Sequence, residues 1–426
     1  MKGERVEKKK LHYGFIVAAG IFIDILVCGG IFFGASGVFI VPVTNSLGIG
    51  QGEFSMYLTV QSFTMALVML AAPKLTARFS FRILNAVAVV LAALGFAAMG
   101  FANGVLLLYV GGALVGFGCV FLTYLISGTL LPRWFNRNLG TMIALVMSGL
   151  GIGGIVFNPV ISALVNSGGM FGFAEGWRSA YVILGGIVLI ICLPVAVFVL
   201  RDYPSDKGLR PYGEEQEADG ESTVRALSGV SKQTAVKSAS FVWYAVMVVC
   251  FTLCGGIMTF LPALASSRAA DAGDVSAIIG SVGMAGAIIG GFLLGALNDR
   301  FGAHVGALVG GGIGAAGFIL LLISGRAQLV MLAGAALYGI FYQINQVQMP
   351  AMVRCMYGER EYDSIFPVAA VFSPWVGAVS YTLWGYIYDF TQSYNAMLII
   401  GLVLSSLTAV TGVLAVSSSK KLPRQE

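Results

Sequence analysis

The residue best placed to do chemistry in this chain is Asp24. It lies about eleven residues into the first long apolar run, roughly 16 Å along it at the helical rise, near the middle of a bilayer. A carboxylate at that depth costs several kcal/mol unless it is paired, hydrated or protonated. Such a group suits reversible proton binding, and Asp24 is the candidate proton-coupling residue. The same carboxylate could instead serve as counter-ion to a cationic solute, or be a permanently protonated acid bonded to a neighbouring helix. A second polar cluster lies in the tenth apolar run: Tyr338, Tyr342, Gln343, Asn345, Gln346 and Gln348. Tyr338, Tyr342, Asn345 and Met349 recur at i, i+4, i+7 and i+11, which is one helical face, with Gln346 beside it. Amides facing lipid would be unsatisfied, so this face must look inward, onto a wet cavity or onto neighbouring helices. Gln61, Tyr124, Asn158 and Trp375 are polar or amphipathic residues within other apolar runs. They join Tyr338, Tyr342, Asn345 and Gln346 as candidate substrate-binding residues.

Other chemistries lack material. The two histidines, His12 and His304, sit at segment edges. Cys28, Cys119, Cys192, Cys250 and Cys254 lie inside apolar runs and Cys355 in a short loop, with neither metal-ligand nor disulfide-framework spacing. No metal or other cofactor is expected, nor a nucleophile–base pair. Gly149-x-Gly151-x-x-Gly154 fits a dinucleotide fingerprint in letters only, because it falls inside an apolar helix with no strand before it. These glycines, with Gly286, Gly290, Gly291 and Gly295, and Gly302, Gly306 and Gly310, suit close helix packing instead.

The elements that must hold these residues follow from composition. The 426 residues are 58% hydrophobic and 11% charged, against about 25% charged in a soluble domain. Twelve runs reach membrane-spanning length: about 13–42, 54–76, 81–102, 104–131, 140–166, 177–200, 241–266, 274–297, 302–323, 326–353, 363–388 and 393–417. An all-α polytopic membrane protein is expected. The basic residues collect in alternate gaps: the N-terminal lysines, Lys74, Arg78, Arg82, Arg133, Arg137, the 201–240 stretch, Arg300, Arg354, Arg360 and the C-terminal Lys420, Lys421 and Arg424. Only Arg178, Arg268 and Arg326 fall in the others. The positive-inside rule then puts both termini in the cytoplasm. The net charge of +5 is accounted for by these short loops, so no nucleic-acid partner is implied. The first run is too long for a signal-peptide core, and no cleavage is expected.

Arg201 to Ser240 is the longest polar stretch, with Glu214, Glu215, Glu217, Asp219 and Glu221. It reads as a mostly disordered cytoplasmic linker (201–240) between a first six-helix bundle (1–200) and a second (241–426). The halves carry a repeat. Gly295-Ala-Leu297-Asn-Asp299-Arg300-Phe301-Gly302 has a worn copy in Pro73-Lys74-Leu75-Thr76-Ala77-Arg78-Phe79-Ser80, which lacks the Asp and the final Gly. Duplicated halves around a midplane site are a transporter plan.

On that loop, its copy and the six-linker-six plan, the chain resembles the major facilitator superfamily (MFS) over its whole length. The resemblance implies two pseudo-symmetric six-helix bundles that alternate access. It also implies a cytoplasmic gate built from Gly295, Asp299, Arg300 and Gly302 with Arg78 and Arg137. A carboxylate at position 299 could cap the positive end of the fifth helix near Arg137 and Asn138. The first half also resembles the oxalate/formate antiporter and monocarboxylate transporter branch. The carrying residues are Arg133-Trp134-Phe135, the glycines of the fifth helix with Pro159, Gly176-Trp177-Arg178 with Tyr181, and Gly208-Leu209-Arg210-Pro211-Tyr212-Gly213. That resemblance implies transport of a small monocarboxylate or dicarboxylate, by proton symport or anion exchange, in a monomer of the cytoplasmic membrane. The basic residue such carriers generally use in helix 8 or 11 has no counterpart here, so tyrosine and amide donors would have to hold the acid. A neutral or cationic solute, moved with the help of Asp24, is the alternative.

Overall fold

The computed structural model describes residues 12–213, 229–268, 272–358, 360–370 and 372–423. The acidic residues Glu214, Glu215, Glu217, Asp219 and Glu221 lie outside the described residues. Apolar helices dominate, and no named strand occurs among the described residues.

Among the described residues eleven helices are long and apolar enough to cross a membrane, and with the broken α10 they make twelve crossings in chain order: α1 Tyr13–Gly34, α2 Gln51–Arg78, α3 Phe81–Gly100, α4 Val105–Trp134, α5 Leu139–Asn166, α6 Gly176–Val199, α7 Ala239–Arg268, α8 Ala272–Phe301, α9 Ala303–Ile323, α10, α11 Phe372–Thr391 and α12 Tyr394–Ser419. α10 is in two pieces, Gln328–Tyr342 and Ile344–Tyr357. A piece at Tyr362–Ala370 precedes α11. This is the expected all-α, six-plus-six membrane architecture. We call the face that carries Tyr13 and Ser419 the terminal face, and the opposite one the far face.

Two expected spans differ in form. The first, read as one helix over 13–42, is α-helical to Asp24 and π-helical over Ile25–Gly34. It then tightens to a 3-10 turn at Ser36–Phe39 before a last α-helical piece, Ile40–Leu47. α7 tightens in the same way at Gly256–Phe260, so the two crossings that begin each half share this irregularity. The tenth breaks at Gln343, where tighter i→i+3 bonds replace the α ladder: Gln343 N–H to Ile340 O at 3.3 Å and Gln346 N–H to Gln343 O at 3.1 Å. Tyr342 and Asn345 thus sit on separate pieces rather than on one continuous face.

Glycine sets the spacing of the packed helices. A Cβ on Gly30 would lie 2.6 Å from Gly153 Cα, and one on Gly34 would lie 2.6 Å from Gly154 Cα, so the π-helical stretch of α1 rides directly on the backbone of α5. In the second half Gly286 and Gly290 seat α8 against α10 in the same manner.

Helix ends are capped by identifiable groups. Ser80, Ser238 and Ser393 accept backbone N–H bonds at the starts of α3, α7 and α12. Asp202, just after α6, also accepts from Phe81 N–H at 2.7 Å and Arg82 N–H at 3.2 Å. Two far-face arginines have structural roles that account for their breaking the charge rule. Arg178 donates to Ala102 O at 2.6 Å beyond the C-terminal end of α3, and Arg268 donates to Leu321 O and to Ser324 Oγ at that of α9. Glu175 pairs with Arg178 and accepts from Ser46 Oγ at 2.7 Å. The Ser46 hydroxyl and the guanidinium hold its carboxyl below the usual carboxylate range.

The described ends of the linker are pinned to the bundles. Tyr212 N–H donates to Trp134 O at 2.8 Å, Trp134 Nε1 to Arg201 O at 3.0 Å, and Val230 N–H to Tyr357 O at 2.8 Å. A short helix forms at Lys232–Val236.

The repeated loop shows why one copy needs glycine. Gly302 has φ +86°, a left-handed backbone that L side chains avoid, whereas Ser80 has φ −63°. Gly302→Val is expected to cost about 1–3 kcal/mol, read as a lowered thermal midpoint in detergent. Ser80→Gly should cost only about a few tenths of a kcal/mol.

Candidate functional site

The two bundles meet along two seams. α2 packs along α11, and α5 along α8. Asp389, near the end of α11, accepts from the first free N–H groups of α2: Gln51 N–H to Oδ1 at 2.9 Å and Gly52 N–H to Oδ2 at 2.8 Å. Gln51 Nε2 donates to Tyr394 Oη at 2.7 Å, and a Cβ on Gly385 would meet Gly52 Cα at 2.7 Å. Deeper in the same seam, Thr59 bonds Thr382 Oγ1 at 2.6 Å and Ala378 O. Where α1 meets α7, a Cβ on Gly37 would lie 2.8 Å from the carbonyl carbon of Thr259. In the other seam Ser281 Oγ donates to Ile155 O at 2.8 Å.

These hydrogen bonds between the bundles lie at mid-depth or towards the far face. On the terminal face Asp299, Arg300 and Arg78 are exposed. Nothing lies within 4 Å of a Cβ placed on Gly295. Asp299 is exposed and makes no hydrogen bond or ion pair among the described residues. Arg300 lies over the Phe301 ring, 5.3 Å from its centroid. Arg78 is exposed at the end of α2, and Arg137 packs against Gly213 of the linker. The expected cap of α5 by Asp299 is therefore not formed in this conformation, because the bundles meet elsewhere.

Three tyrosines near the middle of their helices come from both bundles. Tyr124 of α4 lies within electrostatic range of Tyr342 of α10, and Tyr381 of α11 lies within range of both. Phe33 is edge-on to Tyr124 at 6.2 Å. This group draws on both bundles and contains no lysine or arginine.

Asn158 is fully buried and ties three helices together. Its Nδ2 donates to Gly34 O of α1 and to Gly154 O of α5, both at 2.7 Å, and a Cβ on Gly280 of α8 would press on its amide. Gln61 lies inside the first bundle, where its Nε2 meets Cys119 Sγ at 3.4 Å. It lines a small interior cavity with Tyr57 and Tyr181. Tyr338 is enclosed in the second bundle and donates to Cys254 O at 2.6 Å. Gln346 is exposed, and the side chain of Asn345 lies outside the described residues. Trp375 is 48% exposed and edge-on to Phe63 across the α2–α11 seam at 5.8 Å.

Asp24 is fully buried, and neither carboxylate oxygen has a hydrogen-bond partner. Its nearest polar neighbours are Cys192 of α6 and Asn85 of α3, so the side chain points into the first bundle and away from the tyrosines. Cys28, one turn on, approaches Cys192 with sulfur atoms 3.6 Å apart.

Reading the sequence alone missed Asp389, Thr59, Thr382 and Tyr381. Asp389 falls one residue past the assigned end of its span, and Tyr381 carries no pattern that marks it out from ordinary packing aromatics.

A family model described as the Major Facilitator Superfamily matches residues 23–354. A protein from Thermoproteus tenax, described as an uncharacterized 38 kDa protein in the 23S RNA operon, is 28% identical over 60% of this chain and 56% of its own length. Human monocarboxylate transporter 11 is 27% identical over 47% of this chain and 41% of its own. The chain thus spans about half the length of these two relatives. An uncharacterized MFS-type transporter, YcxA of Bacillus subtilis (strain 168), is 21% identical over 87% of this chain and 88% of its own. Among solved structures, a bacterial homologue of the human lysosomal transporter Spinster, inward-facing and unoccupied, superposes with TM-score 0.65 at 16% identity, covering 97% of each chain. The nucleoside transporter NupG does so with TM-score 0.66 at 12% identity, covering 95% of this chain and 99% of its own. At these identities the structural likeness carries the fold alone.

Proposed function

As this chain belongs to the Major Facilitator Superfamily, we propose that it is a secondary active transporter moving a small monocarboxylate or dicarboxylate by proton symport or anion exchange. Its bundles, 1–200 and 241–426, would rock about the central space while the 201–240 linker joins them. With both termini in the cytoplasm, as the basic loops indicate, the parted terminal face is the inward-facing side. On closure there, Asp299 would reach the start of α5 and make the cap that is absent in the present conformation. We take the working unit to be a monomer of the cytoplasmic membrane.

The observation that carries the substrate reading is the tyrosine group. Three phenols from both bundles, with no fixed positive charge, suit an acid whose own charge is cancelled by a co-transported proton. Likeness to monocarboxylate transporters supports the same class. The rival reading, a cationic or neutral solute paired with Asp24, is disfavoured because Asp24 turns towards α3 and α6.

Uptake into proteoliposomes, with labelled carboxylates beside neutral and cationic solutes and with or without a proton gradient, tests the reading. Saturable carboxylate uptake is expected. Tyr342→Phe should lower kcat/KM by up to about tenfold, the upper end for one lost hydrogen bond between neutral groups. Tyr338→Phe, which removes a bond to Cys254 O, should lower thermal stability instead. Uptake of cations with no response to carboxylates would overturn the substrate class.

A further inference from the structure

A cavity of about 180 Å³ lies between the bundles on the far face, and none of the three tyrosines lines it. The first bundle supplies Gly37, from the 3-10 turn that follows α1, with Ser162 and Asn166 from the last turns of α5. The second supplies Ala263 and Ser266 from the last piece of α7, and Ser276 from the start of α8. Gly37, Ser162 and Ala263 are buried, whereas Asn166 is exposed, so the space opens outwards at the end of α5. Gly37 is also the residue that meets Thr259 across the bundles, which places the cavity against their contact.

The lining decides what can enter. None of the described lining residues is ionisable, so a charged solute would lose its water there without a compensating partner. Hydrogen-bonding capacity is present on both sides. Ser162 Oγ accepts from Asn166 Nδ2 at 3.4 Å, and its own proton meets no acceptor among the described residues. Ser266 Oγ donates to Pro262 O at 3.0 Å, which leaves its oxygen able to accept. The Asn166 amide adds a donor and an acceptor at the mouth. An apolar cavity of about 150 Å³ takes up benzene, so this one admits a solute of about six non-hydrogen atoms.

We propose that this cavity binds a small uncharged solute with donor and acceptor groups, a short polyol or a small amide, and that the bound solute holds the bundles together on the far face. Its walls belong to different bundles, so the site exists only while they meet there. A ligand that binds one of two conformations shifts their ratio by a factor of 1 + [L]/Kd. A solute of this size binds with a Kd on the order of millimolar, so occupancy calls for an abundant one. By reciprocity, an occupied cavity opposes any cargo that must enter from the far face. The site is independent of which cargo the carrier moves.

Glycerol is the probe, and no cargo is needed. The full-length protein in nanodiscs carries spin labels at Leu106 and Leu329, both exposed, at the far-face starts of α4 and α10. Saturation-transfer NMR of glycerol reports occupancy in parallel. Glycerol should raise the short-distance population along a saturating curve, with the population ratio changing about tenfold at about nine times Kd. Sorbitol at equal osmolality, too large for the cavity, should not reproduce it, which separates binding from the general exclusion of polyols from protein surface. Ser162→Ala should raise the half-effect concentration about fivefold, the order of one lost neutral hydrogen bond. Ala263→Leu, which fills the space, should abolish both signals, and Ser162→Ala decides alone if that variant does not fold. A response matched by sorbitol, or unchanged in the variants, overturns the site. Saturable occupancy with no change in distance overturns the hold on the bundles. If glycerol acts as expected while carboxylates are not transported, the substrate reading fails and this one stands.

Discussion

Asp389→Ala is expected to open the far face. The carboxylate sits near the C-terminal end of its own helix, where the helix dipole disfavours negative charge, and it is stabilised by the first N–H groups of α2, where negative charge is favoured. Both effects favour the closed far face, because separation leaves the α2 donors uncapped and the carboxylate at the wrong end of α11. Loss of such a cap is worth about 1–2 kcal/mol, or about 5–30-fold in the ratio of far-closed to far-open molecules. Asp389→Asn, which keeps an acceptor oxygen but no charge, should fall between. The measurement is the labelling rate, by a membrane-impermeant reagent, of a cysteine placed at Ala263, which is buried between the bundles beside Gly37 and Val41. Cys355, the one exposed native thiol among the described residues, is replaced beforehand. The rate should rise by that factor in Asp389→Ala. An unchanged rate would mean that the cap contributes nothing to closure.

Gly37→Val should have the larger effect. The new side chain would be driven into the backbone of Thr259, which belongs to the opposite bundle and has no flexible end to move aside. The collision exists only when the far face is closed, so each bundle should still fold and the thermal midpoint should change little. Transport should fall to background, since a carrier that cannot close one face cannot complete a cycle. Labelling at the far face should become fast and insensitive to substrate. Near-normal uptake in Gly37→Val would refute the assignment of this contact to far-face closure. Gly48, with open space around its Cβ position, is the comparison site, although its φ of +65° adds a small strain of its own.

What could be read from the sequence was decided by how much physics acts locally. The spans, their number and the six-plus-six division follow from hydropathy and charge, which work residue by residue. The break in α10 did not show, because Gln343 is neither proline nor glycine and the interruption depends on packing against α8, where Gly291 faces the Gln343 side chain. The inward orientation of Tyr338 and Tyr342 followed from the cost of exposing polar groups to lipid. That cost is met equally by a cavity and by a carbonyl such as Cys254 O, so it could not separate the two residues. Depth along α1 located Asp24 near mid-membrane. Its azimuth, towards α3 and α6, depends on how α1 packs, which an apolar helix with no polar face does not show in its periodicity. The proposed Asp299 cap would belong to a conformation other than the one described, and a sequence does not say which conformation a contact belongs to.

The far-face contact between Asp389 and α2 has a consequence for how such gates evolve. The acceptor is a side chain, while both donors are main-chain amides of Gln51 and Gly52. Neither bond depends on which side chains positions 51 and 52 carry. The Asp389 contact thus leaves no correlated pair of substitutions of its own, and methods that infer proximity from covariation are blind to it. What they could detect in this seam is the neighbouring side-chain pair, Gln51 with Tyr394.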